Sequence, residues 1–84
     1  MSARQSLTSG ARFPFDAPDA WWRGSNGERL PPKDWAHAAA RGVIADLCDR
    51  RDIKRGFENI DESIRQEIVE SLAEIIREAR ETNV

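Results

Sequence analysis

Apolar residues recur at steps of three and four from Asp61 to Ala79. Ile64, Ile68, Leu72, Ile75, Ile76 and Ala79 fall on one face at about 100° per residue, which predicts an amphipathic helix. Nineteen residues at the helical rise make a rod of roughly 28 Å. Asp61 is placed to cap its start, with Glu62 in the first turn and Arg77 and Arg80 in the last, each sign where the helix dipole favours it. Upstream, a second helix is expected from Trp35 to about Arg50, with Asp34 as N-cap. Ala36, Ala40, Val43 and Leu47 line one of its faces with Ile44 beside them, and the alanine half of that face suits the close approach of another helix. Gly42 costs about 1 kcal/mol of helix propensity, so it marks either another close contact or a tolerated residue. Between these two, Asp52 is expected to cap a short helix carrying Ile53, Phe57 and Ile60. Short connections favour neighbouring, packed helices, and nothing in the chain alternates with the period of a strand.

The first third has no such period. Met1 to Ala11, rich in Ser, Gly, Arg and Ala, is expected to be a mobile tail. Phe13, Phe15, Trp21 and Trp22 follow, interleaved with Pro14, Asp16, Pro18 and Asp19. This density of aromatics suits either an extended arm folded over a thin core, or an exposed arm docking on a partner. Gly24 to Pro32 is expected to be a turn-rich connector. The expectation is therefore an all-α chain: an extended N-terminal arm over residues 1–32, and over 33–84 a domain of two long helices and one short. So small a core points to a homo-oligomer, with Val43, Leu47, Ile64, Ile68, Leu72, Ile75 and Ile76 expected as core or oligomer-contact residues.

Charge sharpens this picture. Residues 1–60 hold ten Lys/Arg against eight Asp/Glu, whereas residues 61–84 hold three against seven. The last helix is thus unsuited to lie on a phosphate backbone, and nucleic acid is not an expected partner. Glu67, Glu70, Glu74, Glu78 and Glu81 form an acidic stripe, read either as a solvated face or as a surface for a basic partner. Arg50, Arg51, Lys54 and Arg55 form a basic turn. They serve as helix-end cations and ion pairs, or as an anion site in which arginine forks hold phosphates and Trp22 or Trp35 stacks on a base.

Catalytic constellations are missing. His37 and Cys48 are eleven residues apart on one helix, too far for a nucleophile pair, and Ser63 and Ser71 have no motif around them. No glycine-rich phosphate loop is present, and one Cys and one His do not make a metal cluster. No enzyme activity, cofactor or metal is expected. A lone cysteine, no recognisable signal peptide and no long apolar run suggest a cytoplasmic protein without a membrane partner.

The run from Asp34 to Ala79, with its alanine-rich helix, a DRR.I turn and an EI..LA.II helix, resembles small uncharacterised accessory proteins of tailed phages and prophages. That resemblance implies a setting inside a bacterial host and carries no catalytic motif. The leading expectation is a non-enzymatic counter-defence protein that sequesters a small anionic, nucleotide-like signal through Arg50, Arg51, Lys54 and Arg55 with Trp22 and Trp35. The alternative is a protein–protein inhibitor or adaptor acting on a host protein through Phe13, Phe15, Trp21 and Trp22.

Overall fold

The computed structural model describes residues 2–24 and 29–82. Among these the chain is all-helical: α1 (Ala3–Arg12), α2 (Asp19–Gly24), α3 (Trp35–Leu47), α4 (Arg51–Glu58) and α5 (Glu62–Thr82). No described residue is in a strand, and no helix is long and apolar enough to cross a membrane. The expected connector over Gly24–Pro32 lies partly outside the described residues.

The segment expected to be a mobile tail is a helix. Ser2 accepts from the Gln5 backbone N–H at 3.1 Å, and the Gln5 side chain accepts from the Ser2 N–H at 3.0 Å, a reciprocal capping box. Ten residues of this composition are marginal as an isolated helix, so packing must complete the stabilisation. α1 lies against α3, and the crossing is so tight that a Cβ on Gly10 would sit 2.6 Å from the carbonyl carbon of Arg41. Gly42 faces the same contact from the other side: a Cβ there would lie 3.0 Å from Leu7 Cδ2. Gly42 thus sits at a close contact. The expected three helices with an extended arm are corrected to five, two of them inside the supposed arm.

α3 starts where expected, with the Asp34 carboxylate accepting from the His37 backbone N–H at 2.9 Å. It ends at Leu47, before the expected Arg50. α4 has Arg50 at its cap position without a side-chain cap bond, so Asp52 lies in the first turn instead of capping it. The start of α5 agrees with the sequence: the Asp61 carbonyl accepts from the Arg65 N–H.

The core is built from small residues. Ala36 and Ala40 of α3 meet Val69 and Ala73 of α5, all fully buried, with Phe15, Leu72 and Ile76 packed around them. The alanine face does receive another helix closely. The matching face of α5 is rotated from the one its isoleucines predict, however. Ile64 and Ile75 are 46% and 63% exposed, and Val43 of α3 is exposed as well. Ile68, Leu72, Ile76 and Leu47 are half-buried. Axes that approach over alanines leave no room for isoleucine, so α5 turns its valine–alanine line inward.

Candidate functional site: an anchored aromatic loop

The loop from Phe13 to Asp19 joins α1 to α2, and two arginines from other elements hold it. Arg41, 3% exposed, donates through Nε to Asp16 Oδ1 at 2.7 Å and through Nη1 to the Leu30 carbonyl at 2.7 Å. The guanidinium thereby ties α3 to the loop at Asp16 and to the chain at Leu30, just before α3. Arg65 of α5 donates through Nη1 to the Ile60 carbonyl at 2.7 Å and through Nε to that of Phe15 at 3.2 Å. Its Nη2 donates to the Ala17 carbonyl at 3.3 Å and to Asp19 Oδ1 at 2.6 Å. Glu62 accepts from the Asp19 backbone N–H. Pro14 and Ala17 are buried beneath this network.

The four aromatics divide. Phe15 packs inward and meets Phe57 edge to face at 5.3 Å between ring centres. Trp21 is half-buried, and its indole Nε1 has no hydrogen-bond partner among the described residues. Phe13 and Trp22 point outward, 65% and 43% exposed, and Trp22 stands perpendicular to Trp21 at 4.8 Å. Leu7, Phe13, Trp21, Leu30, Pro31 and Pro32 line an open cleft of about 860 Å³. On the other side Trp22 shares a cleft of about 520 Å³ with Asp19, Lys54, Phe57, Glu58 and Arg65.

The residues expected to hold an anion do not converge. Trp35 begins α3, at the opposite end from Lys54, and lies under the Arg80 guanidinium at 4.8 Å. Arg50 is engaged by Asp46, at 2.8 Å to its carbonyl and 3.0 Å to its carboxylate. Arg51 and Arg55 are exposed on α4. Only Trp22 and Lys54 line one cleft, and the charges there, Lys54 and Arg65 against Asp19 and Glu58, cancel.

His37 is 4% exposed, with both ring nitrogens held by carboxylates: Nδ1 to Asp34 and Nε2 to Glu70, each at 2.8 Å. Burial opposes the charged imidazolium, but the hydrogen bonds and charges of Glu70 and Asp34 outweigh it and raise the pKa. The same contacts lower Asp34 to about 2, with help from Arg77, and lower Glu70, beside Lys33 and Arg77. No ring nitrogen is left for base catalysis. Burial likewise raises the Cys48 thiol, which disfavours the nucleophilic thiolate. Among the described residues no cluster of three or more His, Cys, Asp or Glu is placed to hold a metal.

Sequence reasoning missed Arg41, Arg65 and the structural role of His37. A signal existed for the first: Arg41 and His37 sit on the wheel beside Ala40 and Ile44, on the buried side of α3. Their partners lie far away in sequence, and no local pattern names them. No protein family, curated protein or solved structure matches this chain.

Proposed function

We propose that the protein is a non-enzymatic binding protein that recognises another protein through Phe13 and Trp22, with Trp21 and Phe15 as the support behind them. One observation carries this reading. Arg41 and Arg65 fix the loop from both sides, yet Phe13 at its start and Trp22 just beyond it in α2 are left facing solvent. An aromatic held rigidly before contact loses little conformational freedom on binding, and such residues supply most of the energy at protein interfaces. In the phage-type setting that the sequence resembles, the target would be a host protein, and the chain an inhibitor or adaptor.

Cross-linking capture from a bacterial host extract, followed by titration of the purified partner, tests the reading. Phe13→Ala and Trp22→Ala are expected to weaken binding by about 2 kcal/mol each, close to thirtyfold, with helical content unchanged. Unchanged affinity in both variants would reject it. The shared cleft of Trp22 and Lys54 favours a second reading, sequestration of a small nucleotide-like anion. Calorimetry with cyclic dinucleotides separates the two, because only sequestration gives heat that Lys54→Ala abolishes.

A further inference from the structure

Three strips follow one another around α5. At about 100° per residue, Glu67, Glu74 and Glu78 share one edge, Ile64, Ile68 and Ile75 form the middle, and Arg65 marks the far edge. Among the described residues the middle strip stays exposed at Ile64 and most of all at Ile75, while Ile68 is half-buried. α4 belongs to the far edge, because Lys54 and Arg65 line one cleft. Arg51, Lys54 and Arg55 are exposed on α4, where they outnumber the exposed Asp52 and Glu58. Among the described residues, no ion pair joins any of these three cations to an acid or involves Glu67, Glu74 or Glu78. The cations and the glutamates of one chain lie on opposite edges of the strip, roughly half a turn apart.

We infer that a second copy of this chain covers the strip, related by a two-fold axis running parallel to α5. Such an axis sets isoleucines on isoleucines and brings the glutamate edge of each copy to the partner's α4 edge. An axis perpendicular to α5 would instead set glutamates against glutamates, and like charges repel. The parallel pairing is isologous and closed, with both charge contacts made at once. The thin core gives an independent reason: among the described residues, four of the six buried hydrophobic ones are alanines, little apolar burial for a folded unit of this size. The α4 edge borders the cleft that Trp22 shares with Lys54 and Arg65, whereas Ile75 lies outside it, so Ile75→Asp tests the pairing without touching the aromatic site.

Sedimentation of the full chain at micromolar concentration is expected to give twice 9.5 kDa. Ile75→Asp should reduce it to one chain with its helical circular dichroism intact, since Ile75 is exposed. A charge exchange then probes the pairing itself. Lys54→Glu with Arg55→Glu, and separately Glu67→Lys with Glu74→Lys, should each weaken the dimer about tenfold, whereas an equal mixture should recover it as a heterodimer. In a Cys48→Ser background, Ile64→Cys should oxidise to a disulfide-linked homodimer. A monomer at about 100 µM would overturn the inference by simple mass action. So would a dimer indifferent to Ile75→Asp and to both charge variants, or an Ile64→Cys chain that cross-links only when mixed with Ala79→Cys, the mark of antiparallel copies.

Discussion

His37 Nε2 stands 2.8 Å from Glu70 Oε2 and thereby bolts the first turn of α3 to the middle of α5. Because Nδ1 meets Asp34 at the same distance, both ring nitrogens serve as donors, and the imidazolium is the form that satisfies both carboxylates. Lys33, 3.8 Å from Glu70, and Arg77, bonded to Asp34, complete the charged surroundings.

The pH dependence of stability follows from this arrangement. His37 is raised above its ordinary 6.5, so its contribution is complete below that value and is lost as pH climbs through the raised one. Asp34 and Glu70 are lowered from 3.8 and 4.5, so theirs is complete above those values and is lost as acid protonates them. Thermal melts should therefore show a maximum between pH 4.5 and 6.5, with a decline on the alkaline side. His37→Gln should remove the alkaline decline; a decline of equal size in that variant would show that another group causes it.

Two glycines should respond oppositely to the same substitution. Gly10→Ala forces a Cβ into the α3 backbone, and overpacking of this kind costs about 1–3 kcal/mol, more than the gain in helix propensity returns. Gly56→Ala on α4 meets nothing within 4 Å and should stabilise by up to about 1 kcal/mol. Urea unfolding of the pair checks both signs. Equal effects would mean that α1 does not pack on α3 this tightly.

Removing Arg41 should be among the most damaging single changes. Arg41→Met leaves the Asp16 carboxylate, only 16% exposed, without its partner, and breaking a buried pair in this way costs about 3–5 kcal/mol. Arg41→Met combined with Asp16→Leu should recover part of that loss, because no unpaired charge remains. The double-mutant cycle from denaturant midpoints measures it, and a purely additive result would deny the pair.

On α5, burial ranks residues against their hydrophobicity. Val69→Ala should cost about 2 kcal/mol, since Val69 is fully enclosed between α3 and α5. Ile75→Ala, measured at a dilution where only single chains are present, should stay within about 0.5 kcal/mol. The reverse order would place the isoleucine strip, and not the valine–alanine line, against α3.

Much of the local structure is decided by neighbours in sequence. The period of Ile64, Ile68, Leu72 and Ile76 makes α5 a helix wherever it lies. Asp34 caps α3 through a residue three positions on, and the alanines at 36 and 40 make α3 a surface that another helix can approach. Even α1 has its local mark, the Ser2–Gln5 capping box, although its composition argues for a mobile tail. Which side of α5 turns inward is not a local property. An apolar stripe broad enough to include isoleucines, a valine and alanines can be buried along more than one line. The choice falls to the line whose volumes match the small residues of α3. The anchored loop belongs to the same class. Arg41 with Asp16, Arg65 with Asp19 and His37 with Glu70 are 25, 46 and 33 positions apart. Each pair forms only once elements distant in sequence have packed: the N-terminal segment on α3, the same segment on α5, and α3 on α5. A charged side chain carries no mark of whether it will face water or a distant carboxylate, so tertiary packing alone decides that Arg41 and Arg65 hold the loop between Phe13 and Asp19.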